Sequence, residues 1–163
     1  MSQLRALGLI PFFRVAVMYE YSCQVKRVVD GDTVDVVIDL GFDIHFATRV
    51  RLYGMDTPES RTRDKDEKAR GFLSKEFLQS WMEKDEVVIK TRKDKKGKFG
   101  RVLGEMFVRG ENINKLMVKE HHAVEYYGQS KDDIEKQHLL NREVLIAKGV
   151  FKPDEKNNAP HIA

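Results

Sequence analysis

Alternating hydrophobic and polar residues predict three consecutive β-strands in the first third of the chain. Residues 21–29 are rich in β-branched and aromatic side chains, and residues 33–40 carry hydrophobic side chains on one face and aspartates on the other. The Asp30-Gly31 pair between these segments is typical of a hairpin turn. After Gly41, residues 44–53 alternate again and bring Arg49 and Arg51 onto one face. Three antiparallel strands joined in this order form a meander.

Helical periodicity begins after the third strand. Hydrophobic residues recur three and four positions apart and predict a helix with one buried face: Ala69, Phe72, Leu73, Phe77 and Trp81. Residues 87–91 and 102–108 predict two more strands, joined by a lysine-rich tip. Asn112 can cap a short helix, and a longer helix is predicted from Asp132 to Lys148, with Gly149 at its end.

Five strands with a helix after the third have the element order of the OB-fold, a Greek-key barrel that commonly binds nucleic acid. The sequence therefore predicts an α+β fold that is mainly a β barrel, with five strands and three α-helices. The fold class does not by itself assign a chemical function.

Length and charge add two constraints. The 163 residues suit one compact domain, and 29 Lys and Arg against 26 Asp and Glu give a net charge of only +3. Between Lys90 and Arg101, however, seven cations stand against one anion, Asp94. This basic tip indicates either a nucleic-acid contact or a solvated hairpin end. The single cysteine, Cys23, excludes an internal disulfide framework.

The chain ends are predicted to lie outside the folded domain. We expect an N-terminal extension over residues 1–18, poorly ordered or dispensable, a domain over residues 19–152 and a polar tail over residues 153–163. Arg14 interrupts the hydrophobic run of the extension, which also lacks the cleavage pattern of a secretory signal. The sequence thus predicts no membrane-spanning segment, and a cytoplasmic location is favoured over secretion.

Carboxylates and arginines at the strand ends suggest metal-assisted phosphodiester chemistry. Such hydrolysis needs a group that orients or deprotonates the attacking water and cations that offset charge on the phosphoryl oxygens. Glu59 can orient or deprotonate the attacking water. The planar guanidinium groups of Arg51 and Arg101 can each donate two parallel hydrogen bonds to the phosphoryl group. Asp32, Asp56 and the carbonyl of Thr57 are the oxygen ligands offered to one hard cation, which we expect to bind weakly.

These motifs together resemble the staphylococcal nuclease family. They are Asp30-Gly31-Asp32-Thr33-Val34, Arg51 five residues before Asp56-Thr57-Pro58-Glu59, and Lys98-Phe99-Gly100-Arg101. The resemblance covers about residues 25–151. It implies a Ca²⁺-dependent nuclease, with one Ca²⁺ ion, that cleaves DNA or RNA with little sequence preference and leaves 3′-phosphate ends.

The resemblance also assigns roles to individual residues. It implies phosphate contacts by Arg51 and Arg101, action of Glu59 on water, and metal ligation by Asp32, Asp56 and Thr57. The nucleotide-binding positions of the family fall on four residues: Lys98, Phe99, Tyr126 and Tyr127. Phe99 stands where the family has a tyrosine, so a ring is kept but its hydroxyl contact is lost. No protein partner is implied, and we expect a monomer.

Each motif has a plainer explanation. Asp-Gly-Asp-Thr alone is a turn signal, and Thr57-Pro58-Glu59 alone can begin a helix. The neighbouring His121 and His122 lack zinc-site spacing and suggest a partly exposed surface, whereas His138 is expected to pack or form hydrogen bonds. The competing function is a non-catalytic OB-fold module that binds nucleic acid. A structural or protein-binding barrel is disfavoured by the basic tip.

Overall fold

The computed structural model describes residues 19–92 and 101–154, which begin with the predicted three-stranded meander. Strand β1 spans Glu20–Asp30, β2 spans Thr33–Asp39 and β3 spans His45–Leu52. Asp30 pairs with Thr33, so the β1–β2 loop consists of Gly31 and Asp32. The turn predicted from the sequence is confirmed.

Two further strands close the sheet into a barrel. Strand β5 spans Val87–Arg92 and pairs with both β1 and β6, which spans Val102–Val108. A parallel pairing of β3 with β6 then joins the two edges of the sheet. The order β3-β2-β1-β5-β6 with this closure confirms the predicted OB-type barrel.

Three short strands and three helices complete the described residues. Strands β4 (Met55–Asp56) and β8 (Val124–Glu125) pair with each other, and β7 (Glu111–Asn112) extends β6. The helices are α1 (Lys65–Met82), α2 (Ile113–Lys119) and α3 (Lys131–Ala147). The Asn112 side chain caps α2 as predicted, accepting a hydrogen bond from the Lys115 amide.

The core lies inside the barrel and beneath α1 and α2. Its fully buried side chains come from alternate positions of the strands, as the period of two requires, and include Val34, Val50, Ile89 and Met106. The buried side of α1 is shifted by about one residue from the predicted one. Phe72 is exposed, whereas Leu78 and Met82 are buried, because the side of α1 that carries Leu78 and Met82 packs on the hydrophobic core.

An ion-pair cluster joins α1 to α3. Asp66 Oδ2 accepts from Arg70 Nε at 3.1 Å and from Arg142 Nε at 3.0 Å. Arg70 is buried and its Nη1 also donates to the main-chain carbonyl of His138 at 3.4 Å. This contact fixes the middle of α3 against the start of α1.

The surface prediction is wrong for His122. Its ring is buried and stacks on Phe77, with centroids 4.2 Å apart. Its Nδ1 is buried without a hydrogen-bond partner, and burial lowers the pKa of His122 to about 4. Adjacent histidines carry no periodicity from which this burial could be predicted.

None of the helices in the described residues is long and hydrophobic enough to cross a membrane. The predicted extension over residues 1–18 lies outside the described residues, as does most of the predicted tail.

Candidate functional site

The β1–β2 turn places Asp32 beside the segment that follows β4. A Cβ atom built on Gly31 would lie 2.9 Å from Ser74 Cβ and 3.0 Å from the Thr57 side chain. Only glycine permits this approach without displacement. The buried Asp32 carboxylate consequently accepts hydrogen bonds from Thr57, from Oγ1 at 3.1 Å and from the amide at 3.4 Å.

Arg51 lies between two of the predicted metal ligands. It sits near the end of β3, opposite Thr33 of β2, and its Nη1 forms an ion pair with Asp32. Its Nη2 donates to Asp56 Oδ1 at 2.8 Å. One guanidinium therefore pairs with both carboxylates, and these two contacts use only part of its five N–H donors.

Asp56 ends β4 and is held by a residue that the sequence did not assign to the site. His138 Nε2, on α3, lies 3.0 Å from Asp56 Oδ2. Burial raises the pKa of Asp56, but the His138 hydrogen bond and the Arg51 charge outweigh it and leave the pKa below its ordinary value. An ionised carboxylate only accepts hydrogen bonds, so His138 is the donor.

Glu59 is positioned by close packing of its backbone on α1. A Cβ atom built on Gly71 would lie 2.8 Å from the Glu59 carbonyl carbon, the Pro58 oxygen and the Ser60 nitrogen. Partial burial, followed by the negative charges of Asp32 and Asp56, raises the pKa of Glu59. A raised pKa makes Glu59 a better proton acceptor near neutral pH.

The predicted site residues meet at one central cavity of about 400 Å³. Its lining includes seven of them: Asp32, Arg51, Asp56, Thr57, Glu59, Arg101 and Tyr126. Arg101 reaches it from the residue before β6, far from the others in sequence. The cavity thus carries both arginines, the candidate water-orienting glutamate and the candidate metal ligands.

Tyr127, the other nucleotide-binding prediction within the described residues, does not line this cavity. Tyr127 lines a different cavity of about 270 Å³, where its ring packs edge-on against Tyr53 with centroids 5.9 Å apart. Arg92 lies over the Tyr53 ring, 4.3 Å from its centroid. Lys98 and Phe99 lie outside the described residues.

The donor set of the central cavity fits a hard cation. Asp32 and Asp56 converge on a single positive group, and carboxylate oxygens are the ligands that Ca²⁺ prefers. In residues 19–92 and 101–154, no group of three or more His, Cys, Asp or Glu side chains is arranged to hold a metal ion. Two carboxylates would therefore need a carbonyl, predicted at Thr57, and water to complete the shell.

The sequence predicted that His138 packs or forms hydrogen bonds, but it did not place His138 at this site, and it missed Gly71. The contact of His138 with Asp56 joins residues 82 positions apart. Gly71 lies inside a helical pattern, where a glycine lowers helix stability. A glycine at such a position usually has a packing reason, so Gly71 could have indicated the close approach of another backbone segment.

The chain is similar in sequence to several proteins that are named as nucleases. A family described as staphylococcal nuclease homologue matches residues 49–148. The chain is 31% identical over 148 residues to the endonuclease YhcR of Bacillus subtilis (strain 168), covering 86% of this chain and 12% of that protein. It is 33% identical over 99 residues to a thermonuclease of Staphylococcus intermedius, covering 61% of this chain and 56% of the relative. It is 29% identical over 138 residues to a micrococcal nuclease of Shigella flexneri, covering 78% and 72%. The chain therefore spans only part of the first two relatives.

Proposed function

The chain belongs to the staphylococcal nuclease homologue family, and from this premise we propose that it is a Ca²⁺-dependent nuclease. It hydrolyses phosphodiester bonds of DNA or RNA and leaves 3′-phosphate ends. The observation that carries the proposal is the convergence of Arg51, Glu59 and Arg101 on the central cavity. Relatives named as nucleases support the reaction class.

The proposed reaction is attack of water on phosphorus with loss of the 5′-oxygen. Glu59 orients the water and accepts its proton, for which its raised pKa is suited. The arginine forks of Arg51 and Arg101 donate hydrogen bonds to the phosphoryl oxygens, whose charge increases in the transition state. The P–O5′ bond breaks, and the departing oxygen takes a proton from solvent to become a 5′-hydroxyl.

Asp32, Asp56 and Thr57 would hold the Ca²⁺ ion. When bound, the ion supplies positive charge to the phosphoryl oxygens and to the attacking oxygen. Arg51 is paired with both aspartates, and its remaining N–H donors would serve the phosphoryl oxygens.

The alternative is an OB-fold module that binds nucleic acid without cutting it. The position of Glu59 in the same cavity as Arg51 and Arg101 favours the enzyme, because a binding surface for polyanions gains nothing from a carboxylate there.

A cleavage assay separates these functions. Purified protein is incubated with end-labelled single-stranded DNA in Ca²⁺ or in a chelator, and the ends are analysed by phosphatase treatment. The proposal expects Ca²⁺-dependent products whose 3′ ends are phosphatase-sensitive. DNA that is bound but intact across a Ca²⁺ titration would favour the binding module, and 3′-hydroxyl products would reject the proposed bond cleavage.

A further inference from the structure

A second cavity adjoins the central one. It has a volume of about 450 Å³ and lies between the start of α1 and one side of α3; we call it the α1–α3 cavity. The two cavities share four lining residues: Asp56, Thr57, Glu59 and Tyr126. A nucleic-acid strand whose phosphate occupies the central cavity therefore has a neighbouring nucleotide within reach of the α1–α3 cavity.

The wall of this cavity is partly hydrophobic and exposed. Leu139 of α3 is 50% exposed and Tyr126 is 40% exposed, although both line the cavity, and Ile134 adds a buried hydrophobic surface. Exposed hydrophobic and aromatic groups beside a candidate reaction centre are typical of a ligand pocket. A flat ring that stacked on them would remove this surface from water.

The α1–α3 cavity is less suited to phosphate than the central cavity, which is lined by Arg51 and Arg101. Five carboxylates line the α1–α3 cavity: Asp56, Glu59, Asp64, Glu67 and Glu135. Two cations, Arg70 and Lys131, also line it, together with the His138 ring that contacts Asp56, and Arg70 is already paired with Asp66. The net negative lining repels the sugar–phosphate backbone but accepts hydrogen bonds from a neutral group that carries N–H donors.

We propose that the α1–α3 cavity is a base-binding subsite for a nucleotide next to the scissile phosphate, and that it favours bases with an exocyclic amino group. The inference rests on the proposed nuclease function and refines the expectation of little sequence preference. Apart from the shared residues, none of the side chains that line this cavity was predicted from the sequence.

The base preference follows from the hydrogen-bonding groups. An ionised carboxylate only accepts hydrogen bonds. Cytosine and adenine present an exocyclic amino donor, whereas thymine presents a carbonyl oxygen at the corresponding position and only one ring N–H, which lies between two carbonyl oxygens. Glu135, on the same side of α3 as Leu139, is suited to accept from such an amino group. A thymine that donated its ring N–H to this carboxylate would bring both flanking carbonyl oxygens close to negative charge.

Two measurements test the subsite, one with cleavage and one without it. The ends produced from a random single-stranded library in Ca²⁺ are sequenced, and the binding of short oligo-dC and oligo-dT is measured by fluorescence anisotropy in a chelator. The wild-type protein is expected to cut with thymine depleted about fivefold at one flanking position and to bind oligo-dC more tightly than oligo-dT.

Three variants assign these effects to the cavity. Glu135→Gln, which adds a donor, should remove the discrimination against thymine. Leu139→Ala should weaken binding of both oligomers about fivefold by removing a stacking surface. Leu140→Ala is the matched control, because Leu140 is 67% exposed on the same helix and does not line the cavity.

The outcomes distinguish this subsite from the proposed function. Cleavage with no positional bias, or with a bias that Glu135→Gln and Leu139→Ala leave unchanged, would overturn the subsite while leaving the nuclease intact. Binding that favours oligo-dC in a Glu135-dependent way, without any cleavage, would reject the nuclease and keep the base-binding cavity.

Discussion

His138 Nε2 on α3 lies 3.0 Å from Asp56 Oδ2 on β4 and is the donor of a hydrogen bond between residues 82 positions apart. The other oxygen of Asp56 accepts from Arg51 at 2.8 Å. Both carboxylate oxygens are therefore engaged, and the orientation of this candidate metal ligand depends on a helix from the other end of the chain. Arg70 supports the arrangement by donating to the His138 carbonyl.

Loss of this hydrogen bond should weaken Ca²⁺ binding. We expect His138→Ala to raise the dissociation constant about tenfold, the lower end of the cost of removing a residue that orients a metal ligand. His138→Gln, which keeps an N–H donor, should restore part of the affinity. Calorimetric titration of the free protein with Ca²⁺ checks this without nucleic acid.

The control for His138 is His45→Ala, on an exposed part of β3. Equal affinities for wild type and His138→Ala would show that His138 does not orient a metal ligand.

Gly71 should be required for the position of Glu59. In Gly71→Ala, the added Cβ would start 2.8 Å from three backbone atoms of residues 58–60, so this segment or α1 must move. A displaced catalytic group can cost two orders of magnitude, and we expect at least about a tenfold loss in kcat. Steady-state cleavage at saturating substrate measures it.

Glu76→Ala, at an exposed position of the same helix, controls for the change in helix composition. A Gly71→Ala variant that melts at a lower temperature but cleaves at the wild-type kcat would contradict the positioning role.

Acid should destabilise the protein through His122. Its pKa is about 4 in the fold and about 6.5 when unfolded, so the unfolded chain binds more protons between these values. Stability is therefore full above pH 6.5 and falls as the pH is lowered to 4, by up to about 3 kcal/mol at roughly 1.4 kcal/mol per pH unit.

Urea unfolding of wild type and His122→Leu at several pH values isolates this contribution, since the carboxylates are common to both proteins. The difference in unfolding free energy should change between pH 7 and pH 4. A difference that stays constant over this range would mean that His122 is not held neutral in the fold.

The Asp66 cluster should contribute more stability than a similar cluster on the surface. Asp66→Ala leaves the buried Arg70 without its ion-pair partner, and breaking a buried pair costs about 3 kcal/mol. Asp35→Ala is the matched control, because Asp35 also pairs with two arginines, Arg27 and Arg49, that are largely exposed. Surface pairs contribute little. Similar losses of unfolding free energy in both variants would contradict this difference.

The barrel was predictable because its strands have clear periodicity and its turns carry local signals. The Asp30-Gly31 turn and the Asn112 cap each depend on a residue or two, and both are present in the structure. The convergence of Arg51 with Asp32 and Asp56 was also accessible, since Asp32 lies in the β1–β2 turn and the other two lie near the ends of β3 and β4. Arg101 was assigned to the phosphoryl group from its residue type, and the motif resemblance implied the same role.

The parts that were missed depend on how α3 packs. The contacts of His138, Arg70 and Arg142 each join positions that are far apart in the chain, and no periodicity encodes which side of α3 faces α1. For the same reason the α1–α3 cavity, with Glu135 and Leu139, could not be inferred. The burial of His122 depends on stacking with Phe77, which is likewise a tertiary contact.

The most direct test of the nuclease is to measure cleavage and binding on the same samples of wild type, Arg101→Ala and Glu59→Ala. Single-turnover cleavage of a labelled single-stranded oligonucleotide is followed in Ca²⁺, and its affinity is measured in a chelator. Each variant should lose at least about a hundredfold in rate, the cost of losing one preorganised transition-state contact, while affinity changes far less. Wild-type turnover in both variants, or binding by the wild type without any cleavage in Ca²⁺, would contradict a catalytic site at the central cavity.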